Sequence, residues 1–422
     1  MSSICADFDK LKRKVLVSIL LLSVSDEYLL DDFIWESCQL KPSDGGIGMI
    51  QSGQISPAAF ITSHQAVLDM LPEYAQLALM TEEESNIRFV YEFHSAAAIM
   101  NEALTSAGST ELSGKQFLNL QPANNQSTQK YLSDIVYNNN AIVFQKKLLL
   151  QDKNTIAWFL SKSDKIAAMW LMSSPNKSEL YLNPEEFAVA MRRWLRIPQS
   201  HLIPKGMKCN CRNKSLCDSF GDHLTTTCTK DGFVIKTHNN LSSCLVGIIK
   251  AAGKRTKLEE HAAFVEADPE SMKRPDNTVE EVSFPMVGQQ QQNTLLMDVN
   301  VTQPTKKDSK LSLAQATKIN RALDISISIK NKKYVELSTL CGLNFLPAVL
   351  ESTGRMSPDL LRFLSFLSEA AEPEWKINKG IILQYWLKLI SCNLQRSLSD
   401  SLLRRTAIIK GTFGSHSMSN YL

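Results

Sequence analysis

Four cysteines and a histidine fall within twenty residues, in an order typical of a metal-binding knuckle. Cys209 and Cys211 are separated by one residue, His223 follows, and Cys228 closes the segment. Three thiolates and an imidazole form a closed tetrahedral site of the kind that holds structural zinc. Cys217 lies in the same segment and competes as a ligand. We therefore expect Cys209, Cys211, His223 and Cys228 to bind Zn²⁺, with Cys217 either outside the set or in place of one member.

A second group of residues has the types needed to hydrolyse a phosphodiester. Asp276 follows Arg-Pro at a turn into a strand, and Asp298 lies inside the apolar run LLMDVNV. A buried carboxylate is costly unless it is paired or binds metal, so two such acids at strand ends predict a Mg²⁺ or Mn²⁺ site. Glu259 is a candidate third acid. Lys330 or Lys333 is the candidate cation that would orient the nucleophile or balance the charge of the phosphate.

His238, in the segment KTHNN, carries less information by itself. A single histidine is more often a packing or capping residue than a functional one. Asn239 beside it could equally be the N-cap of the helix that follows.

A mixed α/β framework would be needed to bring the acids and the lysine together. Period-two or continuous apolar patterns predict strands, and period-3.6 patterns predict helices. The strands are expected at 262–266, 294–302 and 343–351, and the helices at 239–252, 311–340 and 357–371. The segment 325–329 could be a strand instead, and the glutamine run at 289–292 is expected to be a loop. The fold class is therefore α+β, with strands and helices mixed in the C-terminal half.

The N-terminal half predicts helices. Asn183-Pro184-Glu185-Glu186 has the capping residue, the proline and the acids of a helix start. Asp31-Asp32 is more typical of a helix start than of a metal site. The expected division is a helical region at 1–200, a zinc knuckle at 205–232, an α/β domain at 233–375 and a helical tail at 376–422.

Composition limits the class of protein. Hydrophobic residues make up 44% and charged residues 21%, which excludes overall disorder. The net charge of +3 is too small to indicate a nucleic-acid partner by itself. Clustered cysteines with a histidine among them favour metal binding in a reducing compartment over disulfides.

The N-terminus combines a basic segment, KLKRK, with the apolar run VLVSILLLSVS, as a signal peptide does. Asp7 and Asp9 precede this run, however, and no small-residue cleavage site follows, so a helix is expected instead. No stretch approaches the ~20 apolar residues that a membrane span needs. We expect a soluble intracellular protein, nuclear or cytoplasmic, without a membrane partner.

Six segments occur in an order that resembles the C-terminal region of non-LTR retrotransposon reverse transcriptases. They are CNCRNKSLCDSFGDHLTTTC, KTHNN, KRPD, MDVNVT, KNKKY and NFLPAVLESTG. In that family a zinc knuckle precedes a restriction-like endonuclease of the PD-(D/E)XK fold. Two upstream segments are similar to the region after the polymerase thumb and to the helices before the knuckle. They are GGIGMIQSGQISPAAFITS and WLMSSPNKSELYLNPEEFAVAMRRWLRIP.

The resemblance implies a role for individual residues. Asp276 and Asp298 correspond to the metal-binding acids, and Lys330 or Lys333 to a lysine on the following helix. The candidate nucleic-acid contacts are Lys236 and His238 of the basic-His motif, and Arg274 of the Arg-Pro-Asp motif. The position two residues after Asp298 is Asn300 and not a lysine. The positive charge that a lysine would supply there must therefore come from another residue. The polymerase palm is absent from the sequence, and we expect no polymerase activity.

Three hypotheses follow for the function. The first is a metal-dependent endonuclease of retrotransposon origin that nicks DNA, with RNA of the parent element as a further partner. The second is a catalytically inactive, zinc-bearing remnant that binds nucleic acid. The third is a helical scaffold whose N-terminal half binds a protein.

Overall fold

The computed structural model describes residues 2–22, 30–81, 87–123, 126–258, 264, 274–289, 292–306 and 311–411. Within them the protein is α+β, with a helical N-terminal half and one four-stranded sheet, as the sequence predicts. The chain divides into two units, one of residues 1–41 with 46–150 and the other of 42–45 with 151–422. The four-part division expected from the sequence stays a prediction, although contacts group 151–200 with the second unit.

The first unit is helical throughout its described residues. Its helices are α1 (Ser2–Ile19), α2 (Asp32–Gln39), α3 (Ser52–Val67), α4 (Glu73–Met80), α5 (Arg88–Ser106), α6 (Gly114–Leu118) and α7 (Thr128–Leu148). Phe93, Met100 and Phe117 lie fully buried in its core. Asp31 caps α2 by accepting a hydrogen bond from the backbone N–H of Ile34, so the acidic pair is a helix start. The basic segment KLKRK lies within α1.

None of the helices formed by the described residues is long and apolar enough to cross a bilayer.

The second unit wraps helices around the sheet. The helices are α8 (Lys153–Lys162), α9 (Pro184–Leu195), α10 (Phe233–Ala251), α11 (Leu313–Ala316), α12 (Arg321–Leu340), α13 (Pro358–Trp375) and α14 (Lys379–Lys410). The strands are β1 (Arg255–Leu258), β2 (Asn277–Glu280), β3 (Thr294–Thr302) and β4 (Asn344–Glu351). The capping box at Asn183 and Glu186 starts α9, as the sequence predicts.

The sheet has the order β1-β2-β3-β4. The first three strands pair antiparallel, and β4 pairs parallel to β3 after the chain crosses over through α12. The predictions of strands at 294–302 and 343–351 are confirmed. Every residue of β4 is buried because helices cover both faces of this strand, which accounts for its continuous apolar run.

The two faces of the sheet pack against different helices. Met297 and Val299 of β3 belong to the large core with residues of α10, α13 and α14. Leu296 faces the other way and packs with Phe345 and with Tyr334 of α12. Because side chains alternate along a strand, Asp298 shares the face of Leu296 and is directed toward α12.

Two predicted helices differ from the structure. α10 begins at Phe233, directly after Asp231 and Gly232 in left-handed conformations, so the alternative of Asn239 as an N-cap is wrong. The helix expected at 311–340 is broken at Asn320, which adopts a φ of 62°, and 325–329 is helical. Of the strand expected at 262–266, the structure describes Phe264 alone, and Gln290 and Gln291 also lie outside the described residues.

The last helix belongs to the core of the second unit. Trp386, Ile390 and Leu394 of α14 are buried in the same cluster as the strands. The helix extends 32 residues and ends at Gly411, which takes the left-handed conformation of a C-cap. The segment expected as a tail therefore supports the sheet.

Candidate active site and metal centre

The two predicted catalytic acids lie close together at one end of β2. Asp298 lies within β3, and Asp276 directly precedes Asn277, the first residue of β2, which pairs with Met297. The Asp276 backbone N–H donates to the carbonyl of Met297 at 3.0 Å, which holds Asp276 against β3. Both acids line the same cleft. The structure thus brings the two carboxylates together in one place.

Asp298 is a buried acid with a cation against it. The residue is 4% exposed, and the Lys330 ammonium forms an ion pair with its Oδ2 atom. Among the described residues, no directed hydrogen bond to Oδ2 accompanies this ion pair. Burial raises the pKa of Asp298, the neighbouring Asp276 carboxylate raises it further, and Lys330 lowers it.

Asp276 is held from two sides. Its Oδ2 atom accepts a hydrogen bond from the backbone N–H of Val299 at 2.6 Å and lies 2.9 Å from Nε2 of His238 on α10. The other ring nitrogen of His238 lies 3.1 Å from Oδ1 of Asn239. The hydrogen bond to Asp276 raises the pKa of His238, although burial acts in the opposite direction. His238 therefore contacts the acid pair directly and is part of the candidate site.

Helix α12 supplies the other side of the site. Lys330, Lys333 and Tyr334 are three and four residues apart, so they share one face of the helix. Lys330 forms an ion pair with Asp298, whereas the Lys333 ammonium donates to the Tyr334 hydroxyl at 2.8 Å. That hydroxyl donates to the backbone carbonyl of Arg274 at 3.1 Å. Of the two lysines that the sequence leaves open, Lys330 is the one at the acid pair.

These residues line a cleft of about 470 Å³. Arg274, His238 and Lys333 are among its lining residues. Lys236, one turn before Asn239, pairs instead with Asp400 at 3.3 Å on α14. Glu259 lies outside the described residues. Thr226 also lines the cleft, although it belongs to the cysteine-rich segment and no motif marks it as part of this site.

The cysteine-rich segment folds into a small loop structure that gathers four ligand atoms. Sulfur or ring-nitrogen atoms of Cys209, Cys211, His223 and Cys228 all lie within 4.8 Å of one another. Sγ of Cys209 is 3.6 Å from Sγ of Cys228, and Sγ of Cys211 is 3.8 Å from Nε2 of His223. Such a group can hold a metal ion such as zinc. Cys217 is not among these four residues.

Cys217 lies next to the cluster in an apolar environment. It packs with Met207 and Leu224, and its backbone N–H donates to the carbonyl of Met207 at 2.9 Å. Burial raises the pKa of the Cys217 thiol to about 11. Because the four close ligand atoms come from other residues, Cys217 is better described as a small packing side chain.

The turn that carries His223 is fixed by Asp218. The Asp218 carboxylate accepts hydrogen bonds from the backbone N–H groups of Phe220, Asp222 and His223, at 3.1, 2.9 and 2.7 Å. Gly221 between them has a φ of +80°, and an added Cβ would lie 2.7 Å from Cδ1 of Leu402 on α14. Glycine is required here by both the backbone angle and the close helix. The π-helical turn His223–Thr227 follows directly.

Arg405 of α14 contacts two cysteines of the metal-binding cluster. It is 1% exposed, and its Nη2 atom lies 2.6 Å from Sγ of Cys228 and 4.0 Å from Sγ of Cys209. Its Nη1 atom donates to the carbonyls of Leu224 and Cys228, at 2.6 and 3.0 Å. Sequence reasoning missed this residue because 176 positions lie between Cys228 and Arg405 and no local motif marks it.

Hydrogen bonds join the cysteine-rich turn to the segment after β3. The Thr226 hydroxyl donates to Oε1 of Gln303 at 3.3 Å, and Nε2 of Gln303 donates to Thr305 at 3.1 Å. The Thr305 hydroxyl in turn donates to the Asp222 carboxylate at 2.8 Å, which also pairs with Arg196 at 2.9 Å. The turn that carries His223 therefore forms one wall of the acidic cleft.

Comparison of the chain with models of known protein families gave no match, and neither did comparison with curated protein sequences.

Proposed function

We propose that this protein is a divalent-metal-dependent DNA endonuclease. It would be similar to the endonuclease of the non-LTR retrotransposon proteins, whose motif order this sequence resembles. The observation that carries the proposal is the pair of acids Asp276 and Asp298, which line one cleft, with Lys330 of α12 paired to the second acid. Two carboxylates and a lysine in one polar cleft are the groups that metal-assisted phosphodiester hydrolysis needs.

The acid pair suits Mg²⁺ or Mn²⁺. Magnesium is commonly held by one or two carboxylates, with water and substrate phosphate completing its shell. Asp276 and Asp298 repel each other, as the raised pKa of Asp298 reflects, and a dication between them would remove that repulsion. A bound divalent ion supplies a water of lowered pKa and a positive charge facing the phosphate.

The chain's own residues position and charge this site. The Val299 N–H and His238 fix the Asp276 carboxylate in one orientation. Lys330 favours the ionised form of Asp298 and so opposes the effect of burial on its pKa. Lys333 and Arg274 add positive charge to the cleft lining, where a phosphate backbone would lie.

For the cysteine cluster we propose structural Zn²⁺. Three sulfurs and one nitrogen leave no open coordination position, which is the pattern of a site that stabilises folding. Metal analysis of the purified protein should find one zinc per chain, and replacement of Cys228 by serine should remove it. A metal-free protein with the same thermal stability would contradict this assignment.

The nuclease proposal is tested by nicking of supercoiled plasmid with Mg²⁺ or Mn²⁺. Wild type should nick, and Asp298→Asn should lose more than about 100-fold in rate, since changes in the outer shell of a metal site alone cost about 10–100-fold. DNA binding should persist in this variant, because one fewer acid reduces repulsion of phosphate. Asp324→Asn is the matched control, since Asp324 is an acid of α12 that pairs with Lys318 outside the cleft.

One observation favours the second hypothesis, an inactive nucleic-acid-binding protein. Within the described part of the chain, the acid pair does not belong to any cluster of three or more close His, Cys, Asp or Glu ligand atoms. The same assay separates the two functions. Salt-sensitive DNA binding without nicking in either metal would support the binding function and refute the nuclease. RNA as a competitor would test whether both nucleic acids use this surface.

A further inference from the structure

Arg405 is a fully charged side chain buried where charge is costly. A guanidinium stays protonated in proteins, and burying an ion without a partner costs far more than the net stability of a domain. Among the described residues, no carboxylate forms an ion pair with Arg405. The polar atoms that it contacts are two carbonyls and the sulfurs of Cys228 and Cys209.

The contact with sulfur identifies the missing counter-charge. Nη2 of Arg405 lies 2.6 Å from Sγ of Cys228 and 4.0 Å from Sγ of Cys209, and both cysteines belong to the group of four gathered ligand residues. A thiolate is a strong acceptor for a charged donor. Arg405 therefore lies where a negatively charged cluster would compensate its buried charge.

The charge of the proposed zinc centre matches this requirement. Three thiolates and a neutral imidazole around a dication leave one net negative charge. A single guanidinium neutralises it. The carbonyls of Leu224 and Cys228 hold the guanidinium plane in place, so that its second nitrogen faces the sulfurs.

We propose that Arg405 is the outer-shell cation of the metal centre, which compensates the thiolate charge and positions Cys228 for a zinc-type dication. This inference rests on the proposed zinc site. It assigns to α14 a direct part in metal binding, although every ligand lies in the segment 209–228.

The experiment measures zinc affinity of the full chain by competition with a chromophoric chelator. Arg405→Gln should weaken zinc about 10–100-fold, which is the usual effect of losing an outer-shell partner. Arg405→Lys keeps the charge and should recover most of that loss. Arg404→Gln is the matched control, because Arg404 is the preceding residue and pairs with Asp400 instead; its affinity should equal that of wild type.

Cobalt gives a readout that a purely structural role would not move. Co²⁺ substituted into Arg405→Gln should show a shifted thiolate-to-metal absorption band, since the donor to Cys228 is gone. If Arg405→Gln folds only with metal, the zinc concentration for half-maximal refolding replaces the competition assay.

The outcomes separate the two proposals. A wild-type chain that does not bind zinc refutes the metal centre and this inference with it. Wild-type affinity and an unchanged cobalt spectrum in Arg405→Gln overturn the role of Arg405 while the zinc site stands. An Arg405→Lys variant as weak as Arg405→Gln overturns the role of charge.

Discussion

Replacing Lys330 by methionine should destabilise the second unit, because Asp298 would lose the cation that compensates its burial. Removing one partner of a fully buried ion pair costs about 3–5 kcal/mol. Lys330 is 20% exposed, so water screens part of the interaction, and Asp298 can also bind a proton. We therefore expect Lys330→Met to lower the free energy of unfolding by about 1–3 kcal/mol near neutral pH.

The loss should depend on pH in a defined direction. Burial and Asp276 already raise the pKa of Asp298 above its ordinary 3.8, so the folded state binds this proton more tightly than the unfolded state. For such a group, stability is greatest below the unfolded pKa and falls as the pH rises through the folded value. Removing Lys330 raises the folded pKa further, at about 1.4 kcal/mol for each unit. The destabilisation should thus be larger at pH 8 than at pH 5.

Urea unfolding at both pH values measures the effect without metal. Lys333→Met is the matched control, because Lys333 lies on the same helix face but contacts the Tyr334 hydroxyl rather than an acid. It should cost less than about 1 kcal/mol. The double variant with Asp298→Asn should recover most of the loss, since no buried carboxylate remains. Equal losses at pH 5 and pH 8, or a double variant no more stable than Lys330→Met, would refute this account of the site.

Three further predictions concern other parts of the molecule. Magnesium at millimolar concentration should raise the thermal midpoint of wild type but not that of Asp298→Asn, as differential scanning fluorimetry would show; equal shifts would argue against binding at the acids. Gly221→Ala should lower the midpoint by several degrees, because its Cβ would collide with Leu402 and its φ is positive; an unchanged midpoint would contradict this packing. Asp134→Asn should cost at most about 1 kcal/mol at pH 7, because the hydrogen bond from Lys41 lowers the pKa of Asp134 and the pair is about one-third exposed. That stabilisation is present above the unfolded pKa and is lost as the pH falls through the lowered folded pKa, so the difference in urea unfolding should shrink as the pH is taken below 3.8.

β3 and β4 could be predicted from sequence because their patterns are local, whereas the short strands β1 and β2 were not predicted. An aspartate inside LLMDVNV is unusual enough to indicate a function without any knowledge of its neighbours. The closeness of Asp276 to Asp298 could not be predicted in the same way. The chain makes an excursion of 21 residues between them, and the pairing of two strands depends on the whole sheet.

The sequence also could not predict which of two similar residues on one helix contacts the acids. Lys330 and Lys333 lie on one face of α12, and the side chain that meets Asp298 depends on how the helix packs across β3 and β4. The position of Arg405 was still harder to predict from sequence, because Arg405 and Cys228 are in contact but lie far apart in the chain. Such contacts follow from the tertiary fold and leave no spacing to recognise.

The hydrogen bond from Thr226 to Gln303 and the hydrogen bond from Thr305 to Asp222 have a consequence for how this region can be divided. A fragment that begins at residue 233 would keep both acids and Lys330 yet lose one side of the cleft they occupy. Its exposed β3 terminus would have neither Thr226 nor Asp222 to anchor it. Truncation at that point would therefore leave the cleft open on one side, so the cysteine-rich segment and the sheet form one structural unit.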